Sequence, residues 1–235
     1  MKQTIITNIT QGLTTAFIDH AVSSNLAYRP QFVSNNYKEG RKVISSIEDE
    51  LLSCEQFAIS VAFITMSGIT PLLQTLKELE KRGIPGRILT TDYLTFSDPK
   101  ALRKLEEFSN LHVKMYVTDQ TEEGFHTKGY IFKKEEMYRI IVGSSNMTLS
   151  ALTVNREWNT RIVSTEQGEY AQSVLTEFED LWNSPQAIEF EQFIDSYTEN
   201  YTRNKIIRKQ KELARQEQVP SLEAYRLQPN SMQTG

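Results

Sequence analysis

The residues best suited to act on a phosphate lie in the second half of the chain. His126 and Lys128 stand two apart in Phe125-His126-Thr127-Lys128-Gly129-Tyr130. Alternate residues of a strand share a face, so both cationisable groups point the same way, and that pairing is costly unless an anion lies between them. A phosphate is such an anion. In Gly143-Ser144-Ser145-Asn146, Gly143 permits a tight turn at a strand end. Ser144 and Asn146 then offer a hydroxyl and an amide near the start of a helix, where unpaired N–H groups favour anions, and Ser145 is expected to contact substrate beside them. Glu157, eleven residues beyond Asn146, precedes Trp158 in a β-prone run, where a carboxylate is hard to bury without a partner. Each feature alone has a plainer reading: a satisfied strand histidine, a turn with an N-cap, a surface carboxylate.

Together, His126-x-Lys128, Gly143-Ser144-x-Asn146 and Glu157 resemble the motif of the phospholipase D-like phosphodiesterase superfamily. The resemblance implies hydrolysis of a phosphodiester, most plausibly in DNA, through a covalent phosphohistidine and without a metal or other cofactor. His126 would be the nucleophile and Glu157 would hold its other ring nitrogen. Lys128 and Asn146 would stabilise the nonbridging oxygens, with Ser144 a supporting donor. The family builds one site from two motif copies, and this chain has one, so a homodimer with a composite active site follows from the resemblance. The commonest form of the motif has an Asp five residues after the Lys; Lys133 stands there, and the resemblance then points to a nuclease-like branch, similar to metal-independent restriction endonucleases, in which that Asp is lacking.

A narrower likeness covers about residues 28–185. Ser60-Val61-Ala62-Phe63-Ile64-Thr65, Thr90-Thr91-Asp92-Tyr93-Leu94 and the motif segments look like the N-terminal nuclease-like domain of large bacterial superfamily 2 (DEAD/DEAH-type) helicases. Leu227-Gln228-Pro229-Asn230-Ser231-Met232-Gln233 resembles the segment that introduces the adenine-recognising glutamine of such helicases. No Gly-x-x-x-x-Gly-Lys-Ser/Thr phosphate loop occurs in the 235 residues, so ATP would belong to a helicase domain absent from this chain. The implied function is a phosphodiesterase serving as a helicase domain; the alternative is a noncatalytic DNA-backbone binding and dimerisation module of a helicase.

The elements that must position these groups alternate. Apolar residues at helical spacing from Val43 to Leu52 precede an apolar run, Phe57–Ile64. A helix over Ile69–Lys81 leads to a strand at Arg87–Thr91, and a helix from Asp98 to Phe108 leads to a strand at Val113–Val117. Three further strands are predicted at His126–Phe132, Met137–Val142 and Glu157–Val163, then a helix over Glu166–Trp182 and a long polar helix, roughly Ile188 to Gln218. The fold class is α/β: a phospholipase D-like mixed sheet of six or seven strands flanked by helices on both faces, with a C-terminal helical extension. Expected boundaries are a lead-in over 1–40, the phospholipase D-like domain over 41–185, a helical linker over 186–220 and the start of a truncated helicase domain over 221–235. The lead-in holds an amphipathic stretch, Leu13–Leu26, and a docking loop, Arg29–Asn36. Asp92 and Tyr93, directly after a strand, are further candidates for substrate binding, where ligand-facing loops of α/β sheets lie. The basic run Arg203, Lys205, Arg208, Lys209, Lys211 and Arg215 reads as a solvated linker face, or as a surface tracking a nucleic-acid backbone.

Composition fits this reading. With 39% hydrophobic and 24% charged residues, the chain can bury a sizeable core, which excludes wholesale disorder. A net charge of −4 gives no bulk attraction to nucleic acid, although a local basic groove stays compatible with it. One cysteine, Cys54, and no Cys/His cluster of zinc spacing point to a reducing, cytoplasmic setting. Neither a signal peptide nor an apolar run long enough for a membrane span is visible.

Overall fold

The computed structural model describes residues 2–118 and 124–217. Among them, eight strands form one mixed sheet: β1 (Gln31–Val33), β2 (Gln56–Val61), β3 (Gly86–Thr91), β4 (Leu111–Tyr116), β5 (Lys128–Lys134), β6 (Met137–Gly143), β7 (Asn159–Thr165) and β8 (Ala187–Glu189). Their order is β1-β7-β6-β5-β2-β3-β4-β8. β2, β3 and β4 run parallel, and the remaining neighbours pair antiparallel. The helices are α1 (Lys2–Phe17), α2 (Val43–Ser53), α3 (Met66–Ile69), α4 (Leu73–Lys81), α5 (Pro99–Glu106), α6 (Leu149–Thr153), α7 (Glu169–Trp182) and α8 (Phe190–Glu217).

Strand periodicity sorts the core into two layers. Phe57, Ile59 and Val61 of β2 face Val43, Ile47 and Leu51 of α2, together with Leu79 of α4 and Leu105 of α5. Ala58 of β2, Leu89 of β3 and Ile131 of β5 face the other way, beneath Phe178 and Trp182 of α7. The central strands therefore have no solvent face, which is why they read as continuous apolar runs.

The chain ends depart from expectation. The first helix covers Lys2–Phe17, not Leu13–Leu26. Thr7, Thr10, Thr14 and Thr15 each turn the hydroxyl back onto the carbonyl four residues earlier, which satisfies it within a helix that threonine otherwise disfavours. Ile5 then packs on Met137 and Val163. Within the expected docking loop, β1 adds an edge strand to β7 and buries Val33. Sheet and core also continue past residue 185. β8 pairs with β4, and Phe193, Ile194 and Tyr197 of α8 sit in the core, with Tyr197 Oη donating to Ser97 O at 2.8 Å. Their three-and-four spacing is the helical signature of a packed face. Residues 221–235, where a helicase domain was expected to begin, lie outside the described residues.

Helix α2 carries a buried charge and ends in a buried thiol. Glu50 of α2 receives Arg161 Nη1 at 2.8 Å and has Arg139 Nη1 at 3.6 Å. Burial holds the Glu50 carboxyl above the usual carboxylate range despite both arginines, because taking charges out of water outweighs their attraction here. Cys54, where α2 meets β2, is 1% exposed, and burial pushes its thiol up to about 11. No helix among the described residues is long and apolar enough to cross a membrane.

Candidate active site

β5 pairs with β2 so that Val61 lies opposite Lys128, and Ala62 N donates to Thr127 O at 3.2 Å just beyond. This carries His126 and Lys128 to the end of the central strands. His126 precedes β5 instead of lying within it, yet the two groups meet. Lys128 Nζ lies 2.6 Å from His126 Nδ1 and 3.2 Å from Nε2, and donates to His126 O at 2.9 Å. An ammonium has no lone pair, so only the ring nitrogen without a proton can accept from it. Partial burial lowers the Lys128 pKa, and the Glu157 charge opposes that shift. The ring of His126, itself exposed, stands edge-to-face with Phe63, centroids 6.3 Å apart.

The second cluster forms where β6 meets β7. Gly143 pairs with Asn159, and a Cβ on Gly143 would stand 2.3 Å from Trp158 O and 2.4 Å from Asn159 Oδ1. The glycine thus serves close strand approach, whereas the sequence suggested a turn. Ser144 N donates to Trp158 O, Trp158 N donates to Ser144 Oγ, and Ser144 Oγ donates to the Glu157 carboxylate. Gly143→Ala is expected to destabilise the fold by about 1–3 kcal/mol through this collision with backbone and to separate Ser144 from Glu157; denaturant unfolding measures the first effect.

Asn146 joins the clusters. Phe63 N donates to Asn146 Oδ1 at 3.1 Å, and Met147 N donates to Phe63 O while Thr65 N donates to Met147 O. Because the backbone N–H must meet the amide oxygen, Nδ2 remains as a donor, and it makes no hydrogen bond among the described residues. Asn146 is therefore bonded to the backbone of the residue whose ring abuts His126.

Not every candidate converges. Ser145 is fully buried: its Oγ accepts from Asn159 Nδ2 at 2.9 Å, its N donates to Asn159 Oδ1 at 3.2 Å, and its carbonyl accepts from Tyr130 Oη at 3.0 Å. It anchors the turn from inside and presents nothing to a ligand. Asp92 accepts from Thr118 N and Oγ1, both at 2.9 Å, and with the exposed Tyr93 lines a separate groove of about 910 Å³ between the β3 end and α8. Glu157 makes no hydrogen bond to His126 among the described residues, since its carboxylate is turned to Ser144. Lys133 pairs with Glu166 at 2.9 Å, about 16 Å along β5 from Lys128 at the usual strand rise, so an Asp at that position would not reach the cluster. Sequence reasoning gave no role to Asn159, whose amide ties Ser145 to Val33 O, or to Phe63, which links Asn146 to His126. Nothing local marks either, since both act through partners distant in sequence. No group of three or more His, Cys, Asp or Glu residues placed to hold a metal occurs among the described residues.

Comparisons place this geometry. NucT from Helicobacter pylori aligns with a TM-score of 0.53 at 15% identity, covering 69% of this chain and 99% of its own. Nuc from Salmonella typhimurium, a phospholipase D family member, gives 0.52 at 18% identity with the same coverage. The phosphatidylserine synthase of Haemophilus influenzae gives 0.52 at 15% identity, over 79% of this chain and 46% of that one. These likenesses establish the fold. No curated protein matches the chain in sequence. The family described as "Cardiolipin synthase, PLD-like domain" matches residues 48–182, more than half of the chain, with the sheet extending beyond it at both ends, and the protein therefore belongs to the phospholipase D-like family.

Proposed function

We propose that the protein is a metal-independent phosphodiesterase acting on DNA. The observation that supports this reading is the meeting of His126 and Lys128 at the end of the central strands, with Asn146 bonded to the same Phe63 whose ring abuts His126. An exposed imidazole beside an ammonium suits attack on an anionic phosphorus centre. His126 of one subunit forms a bond to phosphorus as the bond to the leaving oxygen breaks. His126 of a second subunit gives that oxygen a proton, then takes one from the water that hydrolyses the adduct. Lys128 and Asn146 donate to the nonbridging oxygens as their charge redistributes. Within one chain Glu157 supports Ser144 and the Lys128 charge, so its proposed role is electrostatic and not the fixing of His126. The reading also includes a homodimer with a composite site, in a helicase-associated setting.

The test is hydrolysis of single-stranded and duplex DNA in excess EDTA. Cleavage that persists supports the reading, and cleavage that needs magnesium, or DNA binding with no turnover, overturns it.

A pH dependence follows from Lys128. Its pKa lies below the usual lysine range, so the ammonium is lost earlier on the alkaline side than from a solvated lysine. The alkaline limb of kcat/KM is expected at correspondingly low pH. Lys128→Arg, which stays charged, is expected to move that limb upward while lowering the maximum, because a guanidinium does not reproduce a point donor. A pH–rate profile of both proteins checks this.

A further inference from the structure

The loop after β3 carries an unusual backbone. Leu94 (φ 56°) and Thr95 (φ 48°) are consecutive left-handed residues, a conformation that neither a leucine nor a β-branched threonine adopts without outside support. The support comes from α8. Arg208 Nη2 donates to Thr95 O at 2.9 Å and to Thr95 Oγ1 at 3.0 Å, and Asn204 Nδ2 donates to the same Oγ1 at 3.0 Å. The Arg208 guanidinium also lies over the Phe96 ring, 4.5 Å from its centroid. Phe96 in turn stands edge-on to Phe63, centroids 5.1 Å apart. Phe63 is the residue whose ring abuts His126 and whose N–H holds Asn146.

We propose that Arg208 is a positioning residue for the phosphodiesterase site: it clasps the strained Leu94–Thr95 turn and so fixes Phe96 and Phe63 as the wall against which the His126 ring is oriented. This rests on the reading of His126 as the nucleophile. Arg208 is the member of the basic run on α8 whose fork meets a carbonyl, a hydroxyl and an aromatic face at once, a combination suited to guanidinium and not to ammonium. Its effect reaches the site through packed rings, with no contact to a reacting atom.

Three variants and two readouts test it. Arg208→Ala and Phe96→Ala remove the clasp and the wall, while Arg203→Ala removes the same charge from an exposed position of α8. The chain has three histidines, so the imidazole NMR signals can be assigned by substitution. The His126 signal is expected to shift in Arg208→Ala and Phe96→Ala and to stay in place in Arg203→Ala. In steady-state cleavage, Arg208→Ala is expected to lower kcat about ten-fold with KM nearly unchanged, as loss of orientation does, and Arg208→Lys should recover only part of it. An unmoved His126 signal in Arg208→Ala overturns the proposal, even in a chain that cleaves nothing. So does an effect confined to KM and to salt dependence, which would mean that Arg208 touches the substrate. Retained cleavage in His126→Ala would instead sink the nucleophile reading and leave the NMR result to decide the positioning claim.

Discussion

Replacing His126 by alanine is expected to lower phosphodiester hydrolysis by roughly 10⁴-fold or more, since removing a nucleophile leaves only the binding and electrostatic parts of catalysis. The ring is exposed, so the variant should unfold close to the wild-type denaturant midpoint. DNA binding should survive, because Lys128 and Asn146, the proposed phosphate donors, are still in place. The covalent step gives a second readout. Under the proposed mechanism, attack by His126 would leave one DNA fragment joined through phosphorus to the ring nitrogen, an adduct that acid hydrolyses and alkali spares. End-labelled DNA quenched in alkali should therefore migrate with wild-type protein and not with His126→Ala. Labelled protein that persists in His126→Ala would assign the nucleophile elsewhere.

The largest expected effect on stability lies away from the site. Glu50→Ala leaves Arg139 and Arg161, both nearly buried, without their shared carboxylate, and an uncompensated buried charge costs about 3–5 kcal/mol. Glu50→Gln should cost less, since the amide oxygen can still accept from Arg161. The pH dependence distinguishes them further. The Glu50 carboxyl ionises less readily in the folded chain than in the unfolded one. Its contribution is therefore fully present below the unfolded pKa and declines as pH rises through the higher folded value. The stability of wild type relative to Glu50→Gln should fall over that acidic window and level off above it. Urea unfolding across that range measures it, and a difference that grows with pH would contradict the burial argument.

The six longer strands were legible because each is a run of six or seven residues whose period or apolar continuity stands out. β1 and β8 were not: three residues carry no period, and both exist only because an edge, β7 or β4, accepts them. The first helix was masked by threonines, whose hydroxyls are satisfied only once the helix has formed. For the candidate site, His126 and Lys128 stand two apart in sequence and meet in the fold, although His126 precedes the strand on which spacing put it. Spacing did not separate Ser144 from Ser145, because which serine turns inward depends on Asn159 and Tyr130, each more than ten residues away. The same limit applies to Arg208. In sequence it belongs to a solvated basic helix, and its partner Thr95 lies 113 residues earlier.

Cys54 gives the protein an internal clock for its own opening. The thiol is enclosed where α2 runs into β2, its Sγ donates to Leu51 O at 3.2 Å, and its raised pKa keeps it protonated at neutral pH. An alkylating reagent consequently has neither access nor a thiolate to attack until the helix leaves the strand. Labelling of the native chain is then gated by that excursion, and the ratio of its rate to that of a free thiol gives the opening free energy of the α2–β2 layer at the end of the central strands opposite His126. Since the chain has one cysteine, a single mass increment reports each event. Comparing that rate with and without added DNA would measure whether a ligand at the far end of β2 stiffens this end of the core.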